Sequence, residues 1–94
     1  MQQLYMITYH LREDLGEDDL RKLTKQFAEV GSAPGVLAHY VRLDGTGGFI
    51  LQERQENPEA GYENMLRYQP WIRAEATAVT TVEDAFPVIQ RVYG

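Results

Sequence analysis

Glu53 and His39 are the side chains in this sequence best suited to moving a proton. Glu53 closes the apolar run Phe49-Ile50-Leu51, and strand alternation puts it on one face with Phe49 and Leu51. On a face that lines a cavity, burial raises the pKa of such a carboxylate and makes it a plausible general base. The other environment open to it is a strand end in solvent, paired with Arg54 or Arg42. His39 lies in the run Val36-Leu37-Ala38-His39-Tyr40-Val41, and a His–Glu pair would make an acid/base unit. Whether the two meet depends on hairpin register, because a slip of one residue turns every side chain of a strand to the other face. A histidine on a half-covered strand also serves simply as a hydrogen-bonded core residue.

A second kind of chemistry is recognition of a flat apolar molecule. Tyr9, Tyr40 and Trp71, together with Tyr5, Tyr62, Tyr68, Tyr93 and the three phenylalanines, bring the aromatic content to 11%. Aromatic rings stack on flat ligands, and the hydroxyls of Tyr9 and Tyr40 add hydrogen bonds; the same rings also serve as core or subunit packing. His10 sits at the end of a first strand and is expected in solvent. Two histidines and Glu53 do not have the short spacing of metal ligands, so no metal site is expected. The stretch Asp44-Gly45-Thr46-Gly47-Gly48 lacks the lysine and the following helix of a phosphate-binding loop and reads as a hairpin turn. There is no Gly-x-Ser-x-Gly elbow and no cysteine, which excludes thiolate nucleophiles, disulfides and cysteine-ligated centres.

The elements that must position these residues follow from the patterning. Leu4, Met6, Thr8 and His10 alternate with Tyr5, Ile7 and Tyr9, giving a strand over 3–10 that is apolar on both faces and therefore central. Glu17, Asp18 and Asp19 open a helix over 17–30, with Leu20, Leu23, Phe27 and Val30 as its buried stripe and Gly31 as its cap. The hairpin of 36–54 follows. Asn57-Pro58-Glu59 then starts a second helix that runs to about Tyr68, directs Tyr62, Met65 and Leu66 at the sheet, and is stopped by Pro70. Residues 74–82 alternate as a fourth strand with Ala74, Ala76 and Ala78 on one face. The apolar tail from Phe86 to Tyr93 fits a bent helix or a fifth strand, with Pro87 interrupting any helix there.

This order, strand-helix-strand-strand-helix-strand, predicts a single α+β domain over 1–94. Its arrangement is ferredoxin-like: a four-stranded antiparallel sheet with two helices on one face. The other face would be bare in a monomer, so two copies are expected to pair into a dimeric α/β barrel. The net charge of −5, with basic residues dispersed among acids, argues against nucleic acid as a partner. Arg21-Lys22 and Lys25, beside Glu17 to Asp19, read as a solvated helix face. The apolar runs fall far short of the ~20 residues that span a membrane. The start Met1-Gln2-Gln3-Leu4 is unlike a secretory signal, so a cytoplasmic setting is expected.

The segments Leu4-Tyr5-Met6-Ile7, Asp44-Gly45 through Phe49-Ile50-Leu51-Gln52-Glu53, and Asn57-Pro58 to Glu75 resemble a small bacterial family of dimeric α/β-barrel proteins without an assigned function. In that pattern Tyr40 stands at an aromatic position of the second strand and Glu53 at the strand-end glutamate, and Pro58 and Glu75 also match. Tyr9 stands where an acidic residue is common and Asn64 where a helix tryptophan is common, and the tail beyond Val82 falls outside the pattern. The wider superfamily includes cofactor-independent monooxygenases, haem-degrading enzymes, lactone isomerases and proteins with no chemistry, so the resemblance implies a fold and a range of functions. The haem-degrading arrangement is not reproduced, since His39 is on a strand and Asn64 on a helix. Two functions fit. The first is a homodimeric barrel binding a small apolar or aromatic molecule at Tyr9, Tyr40 and Trp71, without a cofactor and with Glu53 and His39 available for catalysis. The second is a non-enzymatic structural or regulatory dimer module that meets a protein partner.

Overall fold

The computed structural model describes residues 1–94. Its elements are β1 (Leu4–Leu11), α1 (Glu17–Val30), β2 (Val36–Val41), β3 (Gly47–Glu53), α2 (Pro58–Tyr68), β4 (Ile72–Val79) and α3 (Val82–Tyr93). The four strands form one antiparallel sheet in the order β2-β3-β1-β4, which is the ferredoxin-like order with β1 and β3 central. No helix is long and apolar enough to cross a membrane.

Local chemistry accounts for the element ends. The Asp19 carboxylate accepts the Gly16 N–H at the start of α1, and three acidic side chains sit in its first turn, at the positive end of the dipole. Gly31, at φ 72°, closes α1 with its N–H on the Phe27 carbonyl. Asn57 caps α2 by accepting the Glu59 N–H, with proline in the first turn. In the β2–β3 turn, the Asp44 carboxylate accepts from the Thr46 hydroxyl, the Arg42 guanidinium and the Thr46 N–H, which together hold its pKa down at about 2. The turn is structural, as the missing lysine and helix implied.

Register decides which side chains share a face. β3 pairs β1 through Ile7↔Ile50, Tyr9↔Gly48 and Thr8↔Phe49. It pairs β2 through His39↔Ile50 and Tyr40↔Phe49, and a shift between Val36 and Ala38 makes Leu37 an extra residue opposite the Leu51–Gln52 step. This bulge reverses the alternation within β2. Val36 and His39 therefore share the face that α1 and α2 cover, together with Ile7, Tyr9, Ile50 and Gln52. Tyr40, Phe49, Leu51 and Glu53 lie on the other face with Leu4, Met6 and Thr8.

Packing in the single chain is incomplete. Leu4 and Tyr68 are its only buried apolar side chains. Tyr68 ties the helical layer together by donating its hydroxyl to the Gly31 carbonyl at 2.7 Å. The expected stripe of α1 is only partly covered: Leu23 and Val30 are half-buried, while Leu20 and Phe27 remain exposed. On α2, Tyr62, Met65 and Leu66 are likewise exposed. A cleft is left between α1, α2 and the sheet, which Phe27, Tyr62 and Met65 rim without filling, while Leu20 and Leu66 lie outside it. The tail is a helix. Pro87 cannot donate to the Glu83 carbonyl and its ring crowds that carbonyl, but Glu83 is an exposed residue in the first turn of α3, and the helix continues through Pro87 to Tyr93.

Candidate functional site

The cleft between the helices and the sheet is the one site where the sequence-derived candidates meet. It has a volume of about 310 Å³, and its apolar walls come from Ile7 of β1, Ile50 of β3, Phe27 of α1, Met65 of α2 and Ile72 and Ala74 of β4. At its polar end, the Tyr9 hydroxyl lies 2.7 Å from His39 Nε2. Which atom donates depends on the imidazole tautomer. Desolvation raises the Tyr9 pKa above its ordinary value, so at neutral pH the phenol is protonated and available as a donor.

Tyr9 and His39 are on strands that do not neighbour each other, because β3 runs between β1 and β2. The phenol reaches across β3 over Gly48, which is opposite Tyr9 in the register. A Cβ placed on Gly48 would stand 2.5 Å from Tyr9 Oη and 2.7 Å from Cζ. The absence of a side chain at Gly48 is therefore what seats the tyrosine. The imidazole is packed further by edge-to-face contacts with Tyr9 and with Phe27, at ring-centroid distances of 5.5 and 6.1 Å. Phe27 in turn packs on Tyr68 at 6.4 Å. Gln52, on the same face, donates to the Pro34 carbonyl and fixes the loop that borders the cleft.

The remaining candidates are placed elsewhere. Glu53 is exposed at the end of β3, on the face opposite His39, so no His–Glu pair forms. Its face does follow the expected alternation with Phe49 and Leu51; His39 pairs with Ile50 in the unbroken register that runs from the hairpin turn, which puts it on the other side. Neither Arg54 nor Arg42 forms an ion pair with Glu53, and Arg42 instead holds Asp44. Tyr40 is 68% exposed beside Phe49, on the face away from the cleft. Trp71 is half-buried where α2 turns into β4, and its backbone carbonyl accepts the Arg12 N–H. Neither Tyr40 nor Trp71 lines the cleft. His10 is exposed, as its strand-end position implied. No group of three or more His, Cys, Asp or Glu side chains comes together as a metal site.

The chain matches the profile of the domain of unknown function DUF3303 over residues 3–93. It belongs to that family. The match extends through α3, whereas the resemblance seen in the sequence stopped near Val82, so the last helix is part of the DUF3303 domain itself. No curated protein matches the chain.

Within this DUF3303 domain, sequence reasoning singled out Tyr9 and His39 separately but did not pair them. It missed Gly48, Phe27 and Ile50 as parts of one site. A signal for Gly48 was present: a glycine inside a strand often marks a close approach by another group, and Gly47-Gly48 is inside β3 rather than in the turn. No such signal exists for Phe27, which at helical spacing reads as an ordinary core residue. Chemically, the site offers a flat apolar slot ending in a phenol–imidazole pair. It can hold and orient a molecule through one oxygen or nitrogen, and the pair can pass a proton between that atom and the imidazole.

Proposed function

We propose that this DUF3303 domain is a homodimeric barrel protein that binds a small, flat, largely apolar molecule in the cleft between helices and sheet. The ligand's polar atom would bond to Tyr9 Oη or His39. The observation that carries the reading is the 2.7 Å Tyr9–His39 contact at the end of an otherwise apolar 310 Å³ cleft. Pockets of this size and composition, with few convergent polar groups, suit small aromatic ligands. The dimer would form through the face bearing Met6, Leu51, Phe49 and Tyr40, which the α1–α2 layer leaves uncovered. Turning that face to a second copy places Tyr40 and Glu53 at the subunit boundary and leaves the cleft on the outer, helical side. Catalysis without a cofactor, with His39 as base, is an extension of this reading that needs no further group.

2-Naphthol is a suitable probe, because it is flat and carries a single hydroxyl. Titration followed by tyrosine and naphthol fluorescence is expected to show saturable binding of one molecule per chain. Tyr9→Phe removes one hydrogen bond of about 1 kcal/mol, which weakens binding roughly fivefold. Ala74→Leu fills the cleft and abolishes binding. Binding that does not saturate, or that ignores both substitutions, refutes the site.

A further inference from the structure

We propose that α3 is an exchange arm that docks on a second copy of this chain. The inference rests on the dimeric part of the reading above and is independent of its ligand. Val82, Phe86, Ile89 and Tyr93 recur at i, i+4, i+7 and i+11, which aligns them as one stripe along a helix. All four are exposed: Val82 by 76%, Phe86 by 53%, Ile89 by 49% and Tyr93 by 86%. Ala85 and Val88, on another side of the helix, are half-buried, so the stripe is the more exposed of the apolar sides of α3. An apolar stripe of this length on a helix calls for cover.

The root of α3 is fixed. Thr81 caps it by accepting the Asp84 N–H, the Asp84 carboxylate accepts the Gln2 N–H, and the Thr80 hydroxyl donates to the Gln2 carbonyl. These bonds hold α3 at the Leu4 end of the sheet, where β4 runs out opposite the start of β1. From there it points outward. Eight-residue strands span about 27 Å and twelve helical residues about 18 Å. A longest dimension of 55 Å therefore demands that α3 continue beyond the sheet and not fold back along it. The radius of gyration agrees, at 16.0 Å against about 12 Å for a closed chain of this length.

The surface area identifies the occupant. The chain exposes 7215 Å², whereas a folded monomer of 10.8 kDa exposes about 5,500 Å². The excess is about 1,700 Å² per chain, which falls in the range of obligate homodimers and is about twice the share of a standard interface. Pairing the open sheet faces alone does not supply it. Four strands at about 4.8 Å spacing and about 27 Å length give a footprint of about 500 Å², and doubling this for side-chain relief still leaves a shortfall of about 700 Å². The exposed stripe of α3 lies outside those faces and contributes to the remainder, alongside the side chains exposed around the cleft. In a two-fold dimer each chain both gives an arm and receives one, so a single kind of contact covers the stripe and its receiving surface in both copies. A membrane surface is the poorer occupant. The chain carries a net charge of −5, and α3 has Glu83 and Asp84 against Arg91, without the basic flank that anionic lipids select.

Two experiments on the full chain test the arm. In the first, the double variant Phe86→Glu/Ile89→Glu is compared with wild type and with Leu51→Glu by sedimentation equilibrium. The expected result is a wild-type dimer at 10 µM and at least a 100-fold rise in the dimer dissociation constant for the α3 variant. An α3 variant that dimerises like wild type overturns the proposal. In the second, wild-type chains, half of them carbon-13 labelled, are mixed and inter-chain proton contacts are recorded by isotope-filtered NMR. This needs no substitution and so does not depend on a variant folding. Contacts from the Val82 and Ile89 methyls to the unlabelled copy support the arm. If such contacts come only from Met6 and Leu51, the barrel stands, the arm is refuted and the stripe belongs to another occupant. A monomeric wild type overturns both the arm and the dimer.

Discussion

Gly48→Ala tests the geometry of the candidate site most directly. The added methyl would lie 2.5 Å from Tyr9 Oη and 2.7 Å from Cζ, and it would also press on the backbone carbonyl of Tyr40. Contacts this short are not tolerated, so the Tyr9 ring must leave its seat over β3 and the hydrogen bond to His39 must break. Losing that bond costs about 1 kcal/mol. Overpacking costs a further ~1–3 kcal/mol in displaced side chain and backbone. The expected destabilisation is therefore about 2–4 kcal/mol, read from the urea midpoint with an unchanged denaturant slope. The side-chain and backbone parts separate in a double-mutant cycle with Tyr9→Ala, which removes the phenol that collides with the methyl. If the phenol is seated on Gly48, Gly48→Ala costs at least ~1 kcal/mol less in the Tyr9→Ala background than in wild type. Equal costs in the two backgrounds would mean that the methyl meets only the Tyr40 carbonyl. The phenol would then reach from β1 to β2 without depending on Gly48.

Two further outcomes follow from titrations. Burial raises the Tyr9 pKa above its ordinary 10.0, so the folded chain holds this proton more tightly than the unfolded one. Its contribution to stability is complete below pH 10 and is lost as pH rises through the folded value. Tyr9→Phe should flatten this alkaline decline, measured as urea midpoint against pH above 9; an unchanged decline contradicts the burial of the phenol. Asp44 has the opposite sign, because hydrogen bonds from Thr46 and Arg42 lower its pKa from 3.8 to about 2. Its contribution is present above about pH 4 and is lost as pH falls toward 2. Asp44→Asn should therefore reduce the slope of stability against pH inside that window and nowhere else.

Much of the architecture was legible because local rules and tertiary demands agree. α1 occupies Glu17–Val30, where its acidic start and Gly31 placed it, and α2 follows Asn57-Pro58 and ends at Tyr68 ahead of Pro70. Caps and turns act within a few residues, so sequence carries them in full. The two helices on one face of a β2-β3-β1-β4 sheet also follow from element order. The tail was not legible, because Pro87 interrupts a helical pattern that the chain nevertheless completes.

The sequence by itself determined the elements, their order and the stock of groups available for chemistry: two histidines, six tyrosines and no cysteine. Only the tertiary structure decided which of them meet. The hairpin register pairs His39 with Ile50 and turns it toward the cleft while Tyr40 and Glu53 face away, and the bulge at Leu37 brings Val36 to the same side as His39. Alternation is a rule of period two, and a single extra residue reverses it, so no reading of residue types reveals the side on which a strand's chemistry falls. The Tyr9–His39 pair likewise depends on β3 lying between β1 and β2 with a glycine at the crossing point. That is a coincidence of register across three strands, and register is set by long-range pairing that local sequence does not encode.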